Sequence, residues 1–147
     1  MTTGEKVLEI AKTQLGQQEQ PKGSNWGEPV KTYLKSVGIT FPASWCMAFV
    51  YWCYNQLPNN KMFKSGGVLN VWNNSKQNRV TGDPLPGDVF IMDFGKGLGH
   101  TGIVEKSDAE FIYTIEGNTN DEGSREGYEV CRRKRAKSKI KGYLRYT

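Results

Sequence analysis

The amino-acid sequence predicts an α+β fold in which N-terminal helices pack on one side of a C-terminal antiparallel β-sheet. Two observations carry that expectation. As far as about Lys76 the apolar residues recur at helical spacing, and after Pro84 they gather in short runs of strand character divided by Gly, Asn and Asp. Helices first and strands afterwards is the order of a segregated α+β layout. No linker, internal repeat or low-complexity stretch interrupts the chain. Residues 1–147 therefore read as one domain, long enough to bury a core without disulfide or metal staples.

Thr3 to Leu15 reads as the first helix, capped by Thr2 or Thr3, with Val7, Leu8, Ile10, Ala11 and Leu15 in one stripe and Gly16 as its stop. Gln17 to Gly27 is polar, contains Pro21 and Gly23, and is expected as a surface loop. A second helix spans Glu28 to Val37, turning Val30, Tyr33, Leu34 and Val37 inward, and Gly38 ends it. Pro42 and Ser44 discourage helix before Trp45, so the third helix begins at Cys46 and continues to about Gln56. Leu57-Pro58-Asn59-Asn60 closes it, and Met62 and Phe63 beyond either fold back on the core or rim a groove. Val68 to Lys76 is a weaker fourth helix that places Leu69 and Trp72 together.

The period then changes. Pro84-Leu85-Pro86-Gly87-Asp88 is a turn that launches a strand from Val89 to Met92. Gly95, Gly97 and Gly99 predict a flexible loop ending at His100, where the next strand runs to Glu105. After a turn at Lys106-Ser107-Asp108, Glu110 to Glu116 forms a long strand. Tyr128 to Arg133 and Ile140 to Tyr146 complete the sheet.

Composition narrows the function classes. No stretch approaches the roughly 18 apolar residues of a membrane span. Met1 to Lys6 lacks the basic-then-apolar pattern of a secretory signal, so the expectation is a chain made in the cytoplasm and carried elsewhere, if at all, by another agent. The three cysteines form no CxxC pair, which argues against a disulfide framework and against a zinc site. A net charge of +5 attracts polyanions such as nucleic acid, anionic lipid or cell wall, or serves solubility alone.

Chemistry concentrates at three element edges. A thiol at a helix N-terminus faces unpaired N–H groups and the positive end of the macrodipole, both of which favour thiolate, so position alone can activate Cys46. Cys53 lies one heptad deeper in the same apolar helix and is the ordinary case of a buried small side chain. Cys131 sits in a basic strand with no evident base to serve it. The chain has 1 histidine, His100, set where a Gly-rich segment meets a strand and can approach another element closely. Glu116 and Asn118, two apart on a strand, face the same way. Either can accept an imidazole N–H and fix its tautomer, as the third member of a triad does, although Asn118 also begins a turn-rich stretch and can serve only that.

Four segments, Trp45-Cys46-Met47-Ala48-Phe49-Val50-Tyr51-Trp52-Cys53, Pro86-Gly87-Asp88-Val89, Gly99-His100-Thr101-Gly102-Ile103-Val104 and Glu116-Gly117-Asn118-Thr119, resemble the CHAP domain family in identity and in order. These are cysteine, histidine-dependent amidohydrolases/peptidases of the NlpC/P60, papain-like group, and the resemblance runs from about Glu5 to Tyr146. It implies a papain-like fold with Cys46 as nucleophile, His100 as base, Glu116 as orienting residue and Asn118 as a fourth polar member. The implied reaction is cleavage of a peptidoglycan amide, by an N-acetylmuramoyl-L-alanine amidase or an endopeptidase, with the Cys46 backbone N–H at the oxyanion. Some members place Gln before the nucleophile where this chain has Trp45, which leaves the second oxyanion donor unassigned. Trp45 and Trp72 are the residues expected against substrate.

No cofactor is expected, and no metal either, since Gly23 to Ser44 lacks the Asp-rich calcium loop of some family members. The expected protein is a monomer without a transmembrane segment, similar to a phage lysin released by a holin or to a secreted antibacterial effector. An effector would need an immunity protein as partner; a lysin would not. Arg132-Arg133-Lys134-Arg135 with Lys137, Lys139 and Lys141 either grips anionic polymer or is a strand edge protected by charge. Two rival readings differ in class: a non-catalytic basic module using that cluster with Tyr128 and Tyr143, and a Cys–His amidase or transpeptidase on a different amide. No specific nucleic-acid motif is present, which weighs against the first.

Overall fold

The computed structural model describes residues 1–119 and 127–147, the side chains of Asn118 and Thr119 excepted. Four helices come first, α1 (Thr3–Thr13), α2 (Glu28–Ser36), α3 (Cys46–Asn55) and α4 (Val68–Asn73). Six strands follow, β1 (Arg79–Val80), β2 (Val89–Gly95), β3 (Leu98–Ser107), β4 (Phe111–Thr119), β5 (Glu129–Ala136) and β6 (Gly142–Leu144). They form one antiparallel sheet in the order β1-β6-β2-β3-β4-β5. The protein is thus α+β with a papain-like arrangement of helices on a sheet, as the order of periodicities predicts.

Local chemistry explains the element ends. Thr2 caps α1 reciprocally, its Oγ1 accepting from the Glu5 N–H at 3.1 Å while its own N–H donates to Glu5 Oε1 at 2.9 Å. α2 ends where Gly38, at φ +83°, lets the Ile39 N–H turn back to the Leu34 carbonyl at 3.0 Å. α3 is apolar all round and is buried along almost its whole length, the signature of a central helix. It packs against α2, β3 and β4.

The sheet's alternation sorts its residues into two faces. Val89, Ile91, Ile103, Ile115 and Leu144 face the helices and complete the main core. Phe90, Met92, Val104 and Ile112 point the other way and form a smaller cluster with Ile140 and Tyr143. The Pro86-Gly87-Asp88 turn ties the layers together. A Cβ on Gly87 would lie 2.2 Å from the Gly4 Cα, and the Gly87 carbonyl accepts from the Tyr54 hydroxyl at 2.6 Å. Asp88, buried, holds Arg145 through two bonds of 2.8 Å.

Several sequence expectations shift. The Gly-rich segment before His100 is a tight hairpin rather than a flexible loop, with Lys96 and Gly97 both at positive φ (58° and 79°) between the paired Gly95 and Leu98. Two consecutive residues of that kind give the turn whose twist matches antiparallel strands. The segment from Gln17 is also not simply a surface loop. Gly16 N–H bonds the Val130 carbonyl at 2.9 Å, and Gln18 bridges to Glu129, covering the start of edge strand β5. Of the pair left open beyond α3, Met62 folds into the core while Phe63 stays exposed. β1, too short to show a period, escaped the sequence reading.

Candidate active site

Three elements converge on one constellation. α3 contributes Cys46 as its first residue, with Trp45 at the N-cap. β3 contributes His100 and β4 contributes Glu116. Cross-strand partners share a face, and the register places His100 opposite Met92, Gly102 opposite Phe90 and Glu116 opposite Cys131. His100 and Glu116 therefore stand on the sheet face that bears Phe90, whose ring centroid is 6.1 Å from the imidazole. Gly102 leaves room between the strands, since a Cβ there would come within 2.5 Å of the Glu116 Cγ.

His100 hydrogen-bonds on two sides. Its Nε2 lies 2.8 Å from Glu116 Oε1, and it also bonds the Cys46 thiol. Because Nε2 is taken by Glu116, Nδ1 is the nitrogen left for the sulfur. Burial, the largest influence on His100, disfavours its charged form; the hydrogen bonds and charges of Cys46 and Glu116 together outweigh it and raise the imidazole to about 9. For Glu116 burial again opposes the charge, and the Arg135 and His100 hydrogen bonds overcome it, holding the carboxyl well below its ordinary range. An ionised Glu116 is an acceptor, so Nε2 carries the proton. In the neutral ring, above about 9, Nδ1 presents a lone pair to Cys46 as a general base does; below that both nitrogens carry protons and Nδ1 can donate as a general acid.

Glu116 has further partners that the sequence reading missed. Arg135 reaches it from β5, Nε donating to Oε2 at 2.8 Å and Nη2 to Oε1 at 2.5 Å. Thr114 Oγ1 donates to Oε2 at 2.5 Å. Thr114 was within reach of the sequence, because it sits two residues from Glu116 on the same strand face. Arg135 was not, because nothing in a run of cations shows which one crosses to a particular neighbour.

The remaining predicted site residues are Trp45, Trp72 and Asn118. Trp45 is fully buried, stacked on Tyr33 at 5.6 Å between ring centroids, and its Nε1 donates to the buried Glu19 at 2.7 Å. This corrects the expectation that its side chain meets substrate, for an enclosed ring has no surface to offer. Trp72 is half-buried, with the Arg79 guanidinium 4.0 Å from its ring and Gly142 of β6 beneath it. β6 is separated from the His100 strand by β2. The Asn118 side chain lies outside the described residues. Cys53 is fully buried, and burial pushes its thiol well above the ordinary range. Much of the basic cluster is paired internally: Arg132 with Glu105 at 3.0 Å, Arg135 with Glu116, and Lys137 with Asp83 at 2.9 Å. Among the described residues no three His, Cys, Asp or Glu side chains converge as a metal site. No helix there is long and apolar enough to cross a membrane.

Fold and constellation together define the class of papain-like α+β proteins with a Cys and a His brought together from a helix start and a strand. The family model of the CHAP domain matches residues 37–118, more than half of the chain, and the protein belongs to the CHAP domain family. That family is one of cysteine, histidine-dependent amidohydrolases and peptidases. The solved crystal structure of Ly7917 shares the fold at a TM-score of 0.58 and 17% identity, over 97% of this chain and 62% of that one. This chain thus spans less than two thirds of that structure's length. No curated protein matches the sequence.

Proposed function

We propose that this protein is a peptidoglycan hydrolase that cleaves an amide of the bacterial cell wall through Cys46 and His100. The observation that supports it is the continuous relay from the Cys46 thiol through His100 to a buried, ionised Glu116. In this reading the Cys46 sulfur attacks the amide carbonyl as its proton passes to His100 Nδ1. The C–N bond breaks, His100 returns that proton to the leaving amine, and an acyl thioester remains. Water, deprotonated by His100, then attacks the thioester and releases the carboxylic acid and the free thiol. In this reading the Cys46 N–H, which at the first residue of α3 has no helical partner, holds the oxyanion. Asn118 is the proposed fourth polar member.

Whether the chain works as a phage-type lysin or a secreted effector, its substrate lies outside the cytoplasm, so release by a holin or a secretion machine belongs to the proposal. The deciding experiment is mass spectrometry of purified peptidoglycan digested by the wild type and by Cys46→Ala. Products formed only by the wild type are expected. Free stem peptides would identify an amidase, and split or shortened peptides an endopeptidase. A folded wild type that leaves several wall chemotypes intact would sink the reading, and equal cleavage by both proteins would remove Cys46 as nucleophile.

A further inference from the structure

We propose that Arg135, assisted by Thr114, is a positioning residue that locks the Glu116 carboxylate in the one orientation that meets His100. The inference rests on the Cys–His reading above and adds two residues to its machinery. A carboxylate offers about four lone-pair directions. Among the described residues Glu116 makes four contacts: His100 and Arg135 on Oε1, Arg135 and Thr114 on Oε2. Glu116 is fully enclosed, so water is not available to replace any of them. Turning the carboxylate away from His100 would break several charge-assisted bonds at once.

The geometry calls for arginine in particular. In the β4–β5 register Arg135 stands opposite Ile112, while Glu116 stands opposite Cys131. Arg135 is therefore displaced along the strands from its partner, and a long side chain must lean back over the intervening pair of Thr114 and Arg133 to reach it. At the end of that reach the planar fork meets both oxygens, which an ammonium cannot do in the same way. Arg135 is also the first among the groups that favour the ionised form of Glu116 against burial. An ionised, immobile Glu116 can only accept from Nε2. That fixes the tautomer in which Nδ1 is free to take the Cys46 proton.

A plain structural ion pair between two strands would hold the fold and leave the imidazole indifferent, and the two roles can be separated. His100 is the 1 histidine of the chain, so its imidazole signals are read without assignment. The protein, labelled with 15N, is compared as wild type, Arg135→Lys, Arg135→Gln and Thr114→Val. Three quantities are measured: the imidazole tautomer by NMR above the titration range, the rate at which iodoacetamide alkylates Cys46 at neutral pH, located by mass spectrometry, and stability in urea.

The wild type should show a single Nε2–H tautomer. Arg135→Gln should give a tautomer mixture and slow Cys46 alkylation about tenfold or more, the scale of a lost hydrogen bond to a charged group. Arg135→Lys should recover part of both. The proposal is overturned if folded Arg135→Gln keeps the pure tautomer and the wild-type alkylation rate. It is equally overturned, should Arg135→Gln not fold, if Arg135→Lys and Thr114→Val both keep them. Neither readout uses a substrate. A wild type inert towards peptidoglycan therefore refutes the hydrolase reading, while these comparisons still decide the role of Arg135.

Discussion

The indole of Trp45 donates a 2.7 Å hydrogen bond to Oε2 of Glu19, with both side chains buried next to the residue that begins α3. The other Glu19 oxygen accepts from the Gly23 N–H at 2.8 Å. One carboxylate thus fastens the residue before Cys46 to the 17–27 segment, which in turn pairs with β5. Glu19→Ala would orphan a buried N–H and open a void beside the ring, so a loss of about 1–3 kcal/mol is expected. Urea unfolding should show a lower midpoint at unchanged slope.

Glu116→Gln tests the proposed orienting role of Glu116 separately. An amide can donate to Nε2 and stabilise the opposite tautomer, and it removes the negative charge that Arg135 meets at this position. Turnover should fall by up to about 10⁴, the drop seen when the acidic member of a Ser–His–Asp triad becomes an amide. Cleavage retained at the wild-type rate would show that His100 needs no carboxylate.

The pH dependence of stability follows from the same pair. His100 is raised from an ordinary 6.5 to about 9 in the fold, so its contribution is complete below 6.5 and fades as pH rises through about 9. Glu116 is lowered from 4.5, so its contribution is present above 4.5 and is lost as pH falls through its depressed value. From these two groups stability should be greatest between the two ordinary values and decline on either side. Urea midpoints across pH, beside the NMR titration of the lone imidazole, check it. A His100 midpoint at its ordinary value would contradict the relay.

Gly102→Ala probes the space between the two strands. The added Cβ would sit 2.5 Å from Glu116 Cγ, 2.8 Å from Phe90 Cε2 and 3.0 Å from the Ile115 carbonyl oxygen. Glu116 is pinned by three groups and cannot give way cheaply, so overpacking should cost about 1–3 kcal/mol. Activity should drop as the carboxylate is displaced. Comparing turnover with the urea midpoint shows whether the site suffers beyond the loss of stability.

Much of the fold was legible in the chain because helices and strands leave different periods, and the change near Pro84 marks the boundary between the layers. Cys46, His100 and Glu116 stood out for local reasons: a thiol at a helix start, a single histidine beside a strand, a carboxylate at a strand end. β1 was not legible, since two residues carry no period. The hairpin at Lys96-Gly97 looked like a loop because glycine reports freedom of φ without saying that a register uses it.

What the sequence determined by itself was the order of elements and the choice of three side chains that meet in the candidate site, both set by residues near one another in the chain. Tertiary structure alone decided which partners surround them. Trp45 became an internal brace because Glu19, distant in sequence, arrives beneath it. Arg135 became the clamp on Glu116 because the β4–β5 register set it diagonally within reach. Hydrogen bonds between distant residues depend on register and packing over the whole sheet, and no local pattern encodes them.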